Sequence, residues 1–160
     1  MKTRTLKATI IFTALVLTGA YSYLASAGGP ALVFFDVGQG DSALIELPGG
    51  RLVLVDGGPD DLVLERLGEE LPFFKRRLDL IVISHPHDDH ITGLVSVVRR
   101  YQVGKIVYGA GEEDKGLMPI LLAEARRRGV ELAPLASGET VTAAACRLEI
   151  FNPESLKIPE

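Results

Sequence analysis

The sequence predicts a layered α/β domain with helices packed on a sheet, and three observations carry that prediction. Short apolar, β-branched runs follow one another closely over residues 31–55, with glycine-rich turns between them. The run Leu78-Asp79-Leu80-Ile81-Val82-Ile83-Ser84 is nearly all apolar after its start, as expected of a strand buried on both faces in the middle of a sheet. Beyond it, segments with helical apolar spacing alternate with strand-like runs, which is the pattern of helices layered on a sheet. The 160 residues, 47% hydrophobic and 24% charged, suit one ordinary globular domain. Lone Cys146 forms no internal disulfide and reads as a core thiol.

The first 27 residues differ from the rest. Lys2, Arg4 and Lys7 precede the apolar run Ala8 to Leu17, and Ala25-Ser26-Ala27 closes the segment as a small-x-small cleavage site. Residues 1–27 are therefore expected to be a secretory signal peptide or, because Ala8 to Ala27 is about long enough to cross a bilayer, an uncleaved membrane anchor. In either case the basic start holds the amino end in the cytoplasm and sends the body, residues 28–160, across the membrane. The expected location is extracytoplasmic, secreted or membrane-anchored. Without the leader, 14 basic residues face 21 acidic ones, a net of −7. That acidity argues against a broad basic groove for nucleic acid.

Within the body, Ala31 to Asp36, Ser42 to Leu47 and Arg51 to Val55 are the first strands, with a hairpin turn at Pro48-Gly49-Gly50. Asp60 to Leu71 carries Leu64, Leu67 and Leu71 at helical spacing and is stopped by Pro72. After the central strand, a helix from about Thr92 to Gln102 buries Leu94, Val97, Val98 and Tyr101, and a strand follows at Lys105 to Tyr108. Leu117 to Arg128 is a further helix closed by Gly129, and Val130 to Pro134 and Cys146 to Phe151 are the last strands. The basic clusters Lys75-Arg76-Arg77, Arg99-Arg100 and Arg126-Arg127-Arg128 are each expected near a helix end as solvated charge.

The chemistry is concentrated in Ser84-His85-Pro86-His87-Asp88-Asp89-His90, which holds every histidine of the chain. Imidazole and carboxylate suit borderline divalent ions such as zinc, and His85, His87, Asp89 and His90 offer four such groups on one short loop. In extended backbone His85 and His87 can point the same way toward one ion, and the following turn can carry Asp89 and His90 to a second. The end of a central strand is also where open α/β sheets place their sites. An exposed polar turn would have to explain clustering, spacing and position together. The Gly38-x-Gly40 pair lacks the third glycine and following helix of a nucleotide loop.

With those residues in view, His85-x-His87-x-Asp89-His90 after an apolar strand resembles the signature of the metallo-β-lactamase superfamily. Phe35-Asp36-Val37-Gly38-Gln39-Gly40-Asp41-Ser42 and Leu54-Val55-Asp56-Gly57-Gly58 narrow the resemblance to the branch that includes the hydrolase-like domain of the competence protein ComEC. The resemblance implies an αββα sandwich, of which this chain holds mostly the first half. It implies a metal-dependent hydrolase acting on phosphodiesters or nucleic acid outside the cytoplasm, with a link to DNA uptake. It further implies two zinc ions, or manganese or iron, with His85 and His87 on the first and Asp89 and His90 on the second. Asp89 would also orient a bridging hydroxide, and Asp56 would brace the histidine loop. Asp36, Gln39 and Asp41 either lie near the site or form a tight turn that Gly38 and Gly40 permit.

The family pattern also includes a third histidine for the first metal, a bridging aspartate at the end of a later strand and often one more histidine, and no histidine follows His90. Glu112, Glu113 and Asp114 read as a solvated loop. Two further expectations therefore stand beside the hydrolase: a non-catalytic or truncated extracytoplasmic binding module with a vestigial metal site, and a chain that does not fold stably because half a sandwich leaves an apolar sheet face and an edge uncovered.

Overall fold

The computed structural model describes residues 2–26, 29–136, 138–143 and 146–149. Helix α1 (Lys2–Ser26) leads into strand β1 (Ala31–Phe34), followed by β2 (Ala43–Leu47) and β3 (Arg51–Val55). Then α2 (Leu62–Glu70), β4 (Arg77–Val82), α3 (Asp88–Arg100), β5 (Gln102–Gly109), α4 (Met118–Arg127) and β6 (Glu131–Leu135) alternate. A two-stranded hairpin, β7 (Thr140–Ala143) with β8 (Cys146–Glu149), ends the described chain. The six-stranded sheet has the order β1-β2-β3-β4-β5-β6. Its first three strands pair antiparallel and the rest parallel, so β4 is interior as the sequence predicts.

The β2–β3 turn follows from its glycines. Gly49 and Gly50 both have positive φ (82° and 72°), and the Gly50 N–H donates to the Leu47 carbonyl at 3.0 Å. From β3 onward each strand returns through a helix, and α2, α3 and α4 lie side by side on one face. Their apolar stripes meet that face in the main core, where Leu54, Leu67, Ile81, Leu94, Ile106 and Leu121 are fully buried. Each such side chain contributes roughly 1.5–3 kcal/mol relative to exposure. The other sheet face carries a smaller cluster of Leu47, Val53, Leu80 and Val107. Those four side chains are 1–6% exposed, so the middle of this face is covered, contrary to the expectation of an uncovered apolar face, while at the β1 edge Leu32 and Phe34 are exposed.

Several boundaries differ from expectation. Helix α3 begins at Asp88, four residues before Thr92, with His87 in extended backbone as its N-cap. Asp88 and Asp89 in the first turn favour this start, because carboxylates suit a helix amino terminus. Strand β4 ends at Val82, β5 begins at Gln102, and β7 lay in a stretch with no strand signal. Lys75-Arg76-Arg77 sits on the approach to β4, not at a helix end. The expected cleavage site at Ala27, the Cys146 side chain and the end of the last strand at Phe151 lie outside the described residues. Side chains 9–21 of α1 are exposed on every side. Among the described residues, no helix is long and apolar enough to cross a membrane.

Candidate metal centre

Parallel pairing of β3 with β4 brings their carboxyl ends together, with Val55 opposite Val82. The Asp56 N–H donates to the Val82 carbonyl at 3.0 Å. Asp56 then takes φ 56°, a left-handed conformation that aspartate tolerates better than most residues. Its side chain is 3% exposed and crosses to the histidine loop. There Oδ1 accepts the Ser84 N–H at 2.9 Å, while Oδ2 accepts the Ser84 hydroxyl at 2.5 Å and His90 Nδ1–H at 3.0 Å.

Because the Ser84 hydroxyl donates to Asp56, it serves as acceptor for His85 Nδ1–H at 2.9 Å. One buried carboxylate thus fixes two imidazoles, His90 directly and His85 through Ser84. In both, the Nδ1 proton is committed and Nε2 is left as the lone-pair donor. The His85 ring centroid lies 3.9 Å from that of His90 and 4.6 Å from that of His87. Asp89 Oδ1 is 3.9 Å from His90 Nε2. The four expected ligands are therefore neighbours, but Asp89 and His90 ride on the first turn of α3, not on the loop.

Two close backbone approaches hold that turn against its surroundings. A Cβ on Gly93 would lie 2.0 Å from the Gly57 carbonyl oxygen, and one on Gly40 2.0 Å from that of Asp89. Glycine at both positions lets α3 seat beside Asp56 and lets the residue 36–42 loop lie on the histidine segment. That loop is divided in its role. Asp41 Oδ2 reaches within 4.0 Å of His90 Nδ1. Asp36 accepts the Gly38 N–H at 3.4 Å and its carbonyl takes Arg66 Nε at 2.9 Å, so it shapes the turn and ties it to α2. Gln39 is exposed.

A cavity of about 560 Å³ opens between His85, His87 and the loop after β5, where Glu112 and Lys115 line the far wall. Glu112 is half-buried there and 3.5 Å from Lys115, which corrects the reading of that loop as wholly solvated. Asp88 joins the two walls, since its Oδ1 accepts the Leu117 N–H at 3.2 Å. Ser84, Asp88, Glu112 and Lys115 are site residues that the sequence pattern does not identify. Ser84 and Asp88 had one signal, their place inside the histidine segment.

The donor chemistry fits a divalent ion, given three imidazoles and a carboxylate with two Nδ1 atoms tied back. As they lie, however, no three His, Cys, Asp or Glu side chains among the described residues are grouped so as to hold one ion.

Comparisons with known proteins agree with this picture. A family model described as the metallo-beta-lactamase superfamily matches residues 35–136. ComE operon protein 3 of Bacillus subtilis is 25% identical over 163 aligned residues, covering 91% of this chain and 21% of that protein. Hydroxyacylglutathione hydrolase of Serratia proteamaculans is 38% identical over 74 residues, 46% of this chain and 28% of that protein. The crystal structure of the metallo-beta-lactamase fold protein YhfI from Bacillus subtilis superposes with a TM-score of 0.55 at 18% identity. It covers 73% of this chain and 50% of YhfI, so this likeness speaks to fold alone. The chain spans about a fifth of the first relative's length and about half of the solved structure.

Proposed function

The chain belongs to the metallo-beta-lactamase superfamily, and from that membership we propose that it serves a metal-dependent hydrolase whose substrates are phosphodiesters outside the cytoplasm. The observation that carries this reading is the Asp56–Ser84 brace, which leaves Nε2 of His85 and His90 as lone-pair donors beside His87 and Asp89. His85, His87, Asp89 and His90 would hold zinc, or manganese or iron, one or two ions. The bound ion supplies Lewis acidity and a lowered pKa for water at neutral pH. Asp56 keeps the imidazoles in one tautomer, and Asp89, 35% exposed at its side chain, is the carboxylate positioned to accept a proton from an attacking water. Lys115 on the opposite wall offers a cation to an anionic substrate. The phosphodiester class and the link to DNA uptake rest on the resemblance of the Asp36–Ser42 and His85–His90 motifs to the competence branch.

The test is turnover of an activated phosphodiester by the full chain with added zinc or manganese. Metal-dependent hydrolysis that His87→Ala abolishes is the expected result, and equal inactivity of both proteins overturns it. The second reading is a module that binds through a vestigial site without turnover; the lack of any three-ligand grouping among the described residues bears against a complete catalytic metal site. It predicts His87-dependent metal binding with no hydrolysis.

A further inference from the structure

We propose that the end of the sheet opposite the histidine site is a docking face for an anionic lipid surface, with Phe73 and Phe74 as its inserting tip. This inference does not depend on the substrate or metal of the site, which lies roughly 20 Å away along β4. The turn Pro72–Lys75, closed by the Lys75 N–H on the Pro72 carbonyl at 2.8 Å, projects Phe73 and Phe74 into solvent at 83% and 68% exposure. Two adjacent phenylalanines so exposed are a costly feature unless something apolar receives them.

Basic side chains surround that tip. Arg76 lies over the Tyr101 ring, and its carbonyl accepts the Gln102 N–H, which joins the tip to the carboxyl end of α3. Arg99 reaches toward Glu124, and Arg127 and Arg128 clasp the same carboxylate, which extends the patch to the end of α4. Arg77, which begins β4 directly after the tip, and Arg100, which ends α3 next to Tyr101, are exposed at the same end. Glu46, Asp79 and Glu124 are engaged in ion pairs there, and Glu70 and Glu131 share this end; the balance stays positive on a body of net −7. Clustered Lys and Arg next to aromatic side chains is the composition that adheres to anionic headgroups.

The third observation is continuity. Ala31, where β1 begins, pairs with Glu46, and Glu46 holds Lys75 at 2.9 Å, so the chain enters the body beside the tip. Five residue steps separate Ser26 from Ala31, at most about 18 Å. The apolar helix α1, with Ile10, Ile11, Phe12 and Leu15 exposed, is thus tethered to the face that carries the arginines. The opposite arrangement would send α1 off beside the histidine cavity.

The chain contains no tryptophan, so Phe73→Trp creates a single fluorophore at the tip. The full chain is mixed with vesicles of phosphatidylcholine alone or of equimolar phosphatidylcholine and phosphatidylglycerol. The proposal expects a blue shift and quenching by brominated acyl chains in the anionic vesicles, and loss of both in Arg77→Glu/Arg100→Glu. Phe74→Trp repeats the reading should the first variant melt abnormally. Emission that stays water-like, insertion indifferent to phosphatidylglycerol, or a shift produced by a single-stranded oligonucleotide but not by vesicles would each overturn the lipid assignment.

Discussion

The two ends of β4 are built on opposite principles. At its carboxyl end the buried Asp56 carboxylate accepts three hydrogen bonds, from the Ser84 N–H, the Ser84 hydroxyl and His90. At its amino end charges lie mostly in water, where an ion pair contributes 0–1 kcal/mol and is screened by salt. On the proposed readings, the first end orients metal ligands and the second meets a charged surface. Substitutions at the first end should therefore be severe and local in origin, and those at the second nearly silent for stability.

The largest effect is expected from Asp56→Ala, which strands the Ser84 N–H and His90 Nδ1–H. A loss of about 2–4 kcal/mol in denaturant unfolding is expected, with metal affinity down roughly 10–100-fold by calorimetry. Gly93→Ala comes next, because its Cβ would meet the Gly57 carbonyl at 2.0 Å. It should cost about 1–3 kcal/mol, read as a lowered melting temperature, and an unchanged melt would break the claim that this contact seats α3. Ser84→Ala should cost about 1 kcal/mol and release the His85 tautomer, visible in ring nitrogen shifts, while Ser84→Thr preserves both.

The other end sharpens the contrast through pH. Hydrogen bonds from Arg127 and Arg128 lower the Glu124 carboxyl from 4.5 to about 2. A depressed carboxylate contributes stability that is complete above its unfolded pKa and is lost as pH falls through the folded value. Glu124→Gln should therefore remove part of the slope of stability between about pH 4.5 and 2 and leave neutral-pH metal binding untouched. The smallest effect belongs to Arg100→Ala, expected within about 0.5 kcal/mol of the parent chain. A larger loss there would mean that the arginine rim is a structural element and not a surface.

The contrast also explains what was legible in the sequence. The central position of β4 followed from Leu78 to Ile83, because strands covered on both sides leave long apolar runs. The hairpin followed from Gly49-Gly50, and the ligand types from three histidines within six positions. The start of α3 was hidden because His87-Asp88-Asp89-His90 lacks apolar periodicity, although its two acids suit a first turn. The role of Ser84 depends on Asp56, 28 residues earlier, and nothing local announces such a bond. Glu112 reaches the cavity through the pairing of β4 with β5, which periodicity does not specify. The basic clusters were each visible, but their union around Phe73 and Phe74 is a property of strand order.

The most direct test of the account is calorimetric titration of zinc into the full chain, its His85→Ala and His90→Ala variants, and Asp56→Ala. The account predicts binding by the parent chain, its loss in either histidine variant, and weakening of roughly 10–100-fold in Asp56→Ala. Binding absent from the parent chain, or unchanged when His85 and His90 are removed, would contradict it.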